Sequence, residues 1–217
     1  NAGALAGAAD AASLTLNNAV GTTAARHTIN LDGGAANQGF ETVNVKTEGA
    51  ASNLANLVVT GSTGATNTMT KLVVTGDQNL TIANTAFAAT GGAIDASAFT
   101  GNLVVNAVNA VDVDFKGGKG NDTILFAADL QATDKVDGGE GTDTLGANTF
   151  AALQAAFTAG RVSNIEAIRI ENAIATANGT LDVSKAGNVN SVSVNGIGAN
   201  TNAINNLQDN ATLTVTA

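Results

Sequence analysis

Two nine-residue segments carry residue types and spacing that could hold a metal ion. Gly117-Gly118-Lys119-Gly120-Asn121-Asp122-Thr123-Ile124-Leu125 follows the pattern G-G-x-G-x-D-x-U-x, with U apolar. Gly138-Gly139-Glu140-Gly141-Thr142-Asp143-Thr144-Leu145-Gly146 follows it again. The glycines let a turn adopt positive φ and bring carbonyl oxygens close together. The aspartate adds a hard anionic oxygen, and the apolar eighth residue anchors a short strand in a core. Calcium takes six to eight oxygen ligands at about 2.3–2.6 Å, which carboxylates and backbone carbonyls can supply. Asp122 and Asp143 are therefore the candidate side-chain ligands, with the carbonyls of Gly118, Gly120, Gly139 and Gly141 as partners. Asp137, just before the second Gly-Gly, and Asp114, three residues before the first, are further candidates. The competing reading is a pair of metal-free glycine turns in which each aspartate caps its own backbone.

The motifs begin 21 residues apart, at 117 and 138. A parallel roll with two nonapeptides per coil repeats every ~18 residues, so this interval is one coil plus a small insertion. Both turns then stack on the same side, one strand spacing apart, where one ion can bridge them. The opposite half-coil, Phe126 to Val136, lacks a Gly-Gly turn. Calcium is expected along one edge only.

Other polar residues read more simply. His27 is the only histidine and cysteine is absent, so a zinc site has almost no donors and no disulfide can form. No nucleophile-elbow motif accompanies His27. Leu31-Asp32-Gly33-Gly34 reads as a degenerate turn with no aspartate at the ligand position. Asp10, Asp77, Asp95 and Asp182 sit near Gly, Ser or Asn and read as turn caps. Glu41 and Glu166 occupy equivalent places before apolar strands, where a shared hydrogen bond at the strand start is preferred over a metal role.

The nonapeptides resemble the repeats-in-toxin (RTX) calcium-binding family. The setting is similar to RTX-type surface-layer proteins of Gram-negative bacteria, in which sparse Gly-Gly-x-Gly-x-Asp turns lie among long Ala/Thr/Asn/Val-rich strand repeats. The likeness is closest from Ile94 to Glu171, including Asp95-Ala96-Ser97 and Ser163-Asn164-Ile165-Glu166. Elsewhere it is mainly compositional, and only two intact nonapeptides occur, which favours an array protein over a long calcium roll. The resemblance implies type I secretion, calcium-dependent folding outside the cell, and self-association with identical subunits. It also leaves room for cell-surface polysaccharide as a partner of other parts of a parent chain.

The elements that would position the turns are short and repetitive. Leu57-Val58-Val59-Thr60-Gly61 recurs as Leu72-Val73-Val74-Thr75-Gly76, with a relative at Asn102-Leu103-Val104-Val105-Asn106. Val43 and Val45, Ile168 and Ile170, Val192 and Val194, and Leu213 and Val215 alternate with polar residues, which predicts strands with one buried face. Units of this kind bury nothing alone and must stack. The expected fold is all-β, a parallel β-solenoid or β-roll of short strands, with a flat sandwich as the competitor. Phe150, Leu153 and Phe157 share a helix face, with Asn148 or Thr149 as cap and Gly160 as stop. The Ala-rich stretch Ala2 to Ala12 is a second helix candidate. Three regions follow: 1–92 with strand repeats, 93–147 with the calcium turns, and 148–217 with the helix and more strands, or all three as one continuous solenoid.

Composition narrows the functions. Of 217 residues, only 12% are charged and 3% aromatic, with neither Trp nor Tyr, so the platforms that usually grip bases or sugars are missing. The net charge of −9 argues against nucleic acid and anionic membrane surfaces and suits a cation binder. No stretch approaches the roughly 18 apolar residues of a membrane span. The chain starts at Asn1 and ends in a strand-like run, so a fragment or processed chain is expected. The leading expectation is a non-enzymatic, extracellular calcium-binding module of a surface layer or biofilm matrix. An adhesin repeat, or a calcium-dependent C-terminal module of a secreted protein, is the alternative. A β-helical polysaccharide lyase or epimerase would need a charged groove that nine scattered Lys and Arg do not supply.

Overall fold

The computed structural model describes residues 9–21, 26–33, 39–60, 67–108, 111–171, 179–195 and 202–216. Strands follow one another at short intervals. The first nine are β1 (Ala11–Leu16), β2 (His27–Asp32), β3 (Thr42–Thr47), β4 (Ser52–Thr60), β5 (Lys71–Gly76), β6 (Leu80–Thr85), β7 (Gly92–Asp95), β8 (Leu103–Ala107) and β9 (Val113–Lys116). Then come β10 (Thr123–Leu125), β11 (Lys135–Asp137), β12 (Thr144–Ala147), the helix α1 (Phe150–Thr158), β13 (Val162–Ser163) and β14 (Ala167–Ile170). The chain closes with β15 (Gly179–Asp182), β16 (Ser191–Asn195), β17 (Asn202–Asn205) and β18 (Thr212–Thr216).

Up to β14, successive strands alternate between two parallel sheets. Odd-numbered strands β1 to β13 form a seven-stranded sheet, even-numbered strands β2 to β18 form a nine-stranded one, and β15 and β17 pair in a separate two-stranded parallel sheet. Each coil therefore lays one strand on each side, and the fold is an all-β parallel solenoid. Flat-sandwich hairpins are absent from the described pairings, all of which run parallel within the sheets. Coil length varies from 31 residues between Ala11 and Thr42 to 19 between Val104 and Thr123. The recurring Leu-Val-Val-Thr segments fall on β4 and β5, half a coil apart and on opposite sheets.

The alternation in sequence becomes the core. Val43 and Val45, Leu72 and Val74, Leu103 and Val105, and Ile168 and Ile170 all point between the sheets and are buried. Phe87, Phe99 and Phe126 lie in the connections between strands, each essentially inaccessible. Those rings supply the large apolar area that a core of Val and Ala lacks.

Helix α1 begins where the spacing predicts. Thr149 caps it by accepting from Ala152 N at 3.2 Å, and Gly160 follows its end at φ 68°. Phe150, Leu153, Ala156 and Phe157 are buried. The helix packs on β15, whose Asp182 N–H donates to Gln154 Oε1 at 2.6 Å. The second expected helix is not seen where it can be checked. Ala11 and Ala12 open β1, and residues 1–8 lie outside the described residues. Alanine's helix propensity yields there to pairing, because Ala12, Leu14 and Leu16 face inward beside Val43, Val45 and Thr47.

Candidate metal centre

The two nonapeptides occupy stacked turns. Each leads into a strand of the nine-stranded sheet, and Thr123 of β10 pairs in register with Thr144 of β12. Asp122 and Asp143 stand immediately before those strands with side chains turned inward, each 1% exposed. Asp122 Oδ1 accepts from Leu103 N at 2.8 Å, one coil earlier, and its Oδ2 accepts from Gly118 N at 2.8 Å. Asp143 Oδ1 accepts from Asp122 N at 2.7 Å. Asp143 Oδ2 is buried and has no hydrogen-bond partner.

The glycine positions follow from how closely the coils stack. A Cβ on Gly139 would lie 2.4 Å from Gly118 O, and one on Gly141 would lie 2.2 Å from Gly120 O. Both residues also have positive φ, 97° and 127°. A Cβ on Gly138 would meet Asp143 Oδ2 at 2.6 Å, in the space that the unpaired oxygen faces. Gly118 O accepts from Glu140 N at 2.9 Å, so that carbonyl already ties the turns together.

Electrostatics single out Asp143. Burial pushes its carboxyl up to about 7, against the hydrogen bond from Asp122 N, and the negative charges of Asp122, Glu166 and Asp137 add to the rise. Burial also raises Asp122, opposed by its bonds from Gly118 and Leu103. A cation beside Asp143 Oδ2 would remove the desolvation cost that protonation otherwise relieves. Of the four carboxylate oxygens of Asp122 and Asp143, three already accept backbone N–H groups, and Asp143 Oδ2 is the one left for a cation's shell. Among the described residues, no group of three or more His, Cys, Asp or Glu side chains converges on one point, so carbonyl oxygens would have to carry much of it.

The remaining candidates separate. Asp137, ending β11, accepts from Asn164 Nδ2 at 2.7 Å and Gly139 N at 3.3 Å, so it braces the second turn. Asp114 faces outward on β9 and pairs with Lys135 at 3.4 Å; the structure does not bring it to the turns. The turn-cap readings of Asp95 and Asp182 are seen directly, since their Oδ1 atoms accept from Ser97 N and Ser184 N. Glu41 Oε2 accepts from Asp10 N and Glu166 Oε2 from Asp143 N, both at 2.8 Å, as expected for matched strand starts. His27 is exposed at the start of β2, and Gly34 of the degenerate turn lies outside the described residues.

Two features escaped the sequence. Asp134, before β11, repeats the device of Asp122 on the opposite edge: it is buried, and accepts from Val113 N and Gln131 N at 2.7 Å. Burial raises its carboxyl as well. Asparagines also form a ladder beside the nonapeptides: Asn79 Oδ1 receives Asn102 N, Asn102 Oδ1 receives Asn121 N, and Asn121 Oδ1 receives Thr142 N, at 2.8–2.9 Å. Asn or Asp one coil apart, one or two residues before a strand, was the available signal. No family model, curated protein or solved structure matches the chain.

Proposed function

We propose that this chain is a structural, calcium-binding module of an extracellular self-assembling layer or matrix, of the RTX type and secreted by a type I route. The observation that carries the calcium reading is the stack of two nonapeptide turns in which a buried Asp143 oxygen is left without a partner. Asp122 and Asp143 would hold the ion, and bound calcium supplies the positive charge that two closely placed buried carboxylates lack. In a calcium-poor cytosol, the thin aliphatic core is then offset by chain entropy and unrelieved carboxylate burial. Outside, at millimolar calcium, binding energy becomes folding energy. The module catalyses nothing in this reading; its product is an ordered, stackable surface.

The test is the double variant Asp122→Ala with Asp143→Ala. Calcium-induced gain of β signal in circular dichroism should vanish in the variant and be present in the parent. An unchanged calcium response in the variant would remove these two residues from the site.

A further inference from the structure

The two nonapeptide turns match in sequence but not in their hydrogen bonds. In the first, Gly118 N donates forward to Asp122 Oδ2 at 2.8 Å. In the second, the equivalent Gly139 N donates back to Asp137 Oδ1 at 3.3 Å, and Asp143 Oδ2 is left buried without a partner. The backbones differ as well. Gly139 and Gly141 have φ of 97° and 127°, whereas Gly118 and Gly120 lie outside the positive-φ region. The sequence difference that accompanies this sits one residue before each Gly-Gly. Asp137 of β11 pairs in register with Lys116 of β9, so that position holds an acceptor in the second turn and an ammonium in the first. Asn164, one coil later, fixes the acceptor by donating from Nδ2 to the same Oδ1 at 2.7 Å.

We infer that Asp137 and Asn164 are positioning residues for a cation at the second turn, and that they act by drawing the Gly139 N–H away from Asp143. Without an acceptor at position 137, that N–H would turn to Asp143 Oδ2, as Gly118 N turns to Asp122, and the free oxygen would be lost. Lys116 offers the first turn no such oxygen and sets a positive charge beside it. Asn164 contributes a second way. An ideal Cβ on Gly138 would lie 1.9 Å from Asn164 O and 2.6 Å from Asp143 Oδ2. A backbone carbonyl and the unpaired carboxylate oxygen therefore flank one spot that only glycine leaves clear, and oxygens of these two kinds are what a hard cation takes. The inference rests on the calcium reading above and assigns the work done from outside the nonapeptide pattern.

The experiment is calorimetric titration of the whole chain with calcium chloride, with the melting temperature of each variant recorded in chelator. Asp137→Ala removes the acceptor, and Asp137→Asn keeps an oxygen there without the charge. Partners that orient a metal ligand are worth about ten- to a hundredfold in affinity, and Asp137→Ala should lose calcium affinity by that factor. Its melting temperature in chelator should hold, because Asp143 Oδ2 gains the Gly139 N–H. Asp137→Asn should bind calcium closer to the parent than to Asp137→Ala. A melting temperature in chelator that falls along with the affinity would mark a merely stabilising contact and overturn the inference. Equal losses of affinity in the two variants would assign the effect to charge alone and overturn it too. A parent that binds calcium while Asp137→Ala binds it equally well would sink this inference and leave the calcium reading standing, whereas a parent that binds none would sink both.

Discussion

The backbone N–H of Asp122 donates to Asp143 Oδ1 at 2.7 Å, across one full coil of the solenoid. The bond is one rung of a series. Leu103 N donates back to Asp122, Asp122 N to Asp143, and Asp143 N to Glu166. Each carboxylate ties down the strand start of the preceding coil, so the same side chains that could hold an ion already hold the stack. One oxygen is left over, Asp143 Oδ2, and the calcium reading depends on it.

Glycine substitution should separate close stacking from backbone conformation. Gly141→Ala meets both, with φ at 127° and Gly120 O at 2.2 Å from the new Cβ. Gly160→Ala meets a positive φ of 68° in open space. Denaturant unfolding should show a loss of about 1 kcal/mol for Gly160→Ala. For Gly141→Ala it should show roughly 3 kcal/mol or more, because a backbone carbonyl must move. Equal losses would contradict the stacking.

Asp134 provides a control on the opposite edge. Asp134→Ala strands the N–H groups of Val113 and Gln131, at about 1–3 kcal/mol each, less the cost of burying the carboxylate itself. A net loss of about 2 kcal/mol in thermal or chemical unfolding is expected, with calcium affinity unchanged. A large drop in calcium affinity would mean that ions also sit on this edge.

Buried carboxylates set the pH dependence of the metal-free protein. Asp143 is pushed up to about 7, and Asp122 and Asp134 are raised, all chiefly by burial. A carboxyl raised on folding contributes stability that is fully present below its unfolded value near 3.9 and is lost as pH rises through the folded value. For Asp143 the loss is at most about 4 kcal/mol between pH ~4 and ~7. The melting temperature in chelator should therefore fall over this range, and Asp143→Asn should flatten the fall. A melting temperature that rises over the same range in chelator would contradict it.

A second amide ladder ends early. Asn106 Nδ2 donates to Asn84 Oδ1, and Asn84 Nδ2 to Asn56 Oδ1, on the outer face of the nine-stranded sheet. Asn106 Oδ1 is buried without a partner, and Leu125 stands beside it in register. Leu125→Asn should extend the ladder and stabilise by about 0.5–1 kcal/mol in thermal unfolding. A destabilised variant would show that Leu125 packing over Gly146 outweighs the missing rung.

Much of this was legible in the chain because its period is local. Alternation at Val43 and Val45, or Ile168 and Ile170, fixes which residues face inward, and the 21-residue motif interval fixes which turns stack. Phe150, Leu153 and Phe157 located the helix for the same reason. What escaped has no motif to mark it. Asp134 sits 21 residues after Val113, the interval of the two nonapeptides, but with no Gly-Gly turn before it, it is recognisable only once Val113 is known to start the strand one coil earlier. Asp114 misleads in the opposite way: near the motif in sequence, it sits on the other sheet, facing out.

The most direct measurement is a calcium titration of the metal-free chain by calorimetry, with the melting temperature recorded at each point. Calcium held by Asp122 and Asp143 predicts saturable binding and a melting temperature that climbs with calcium, equivalent to about 2.7 kcal/mol at a hundredfold excess over Kd. A chain that melts at the same temperature in chelator and in millimolar calcium, with no binding heat, would leave the nonapeptides as stacked glycine turns and contradict the central claim.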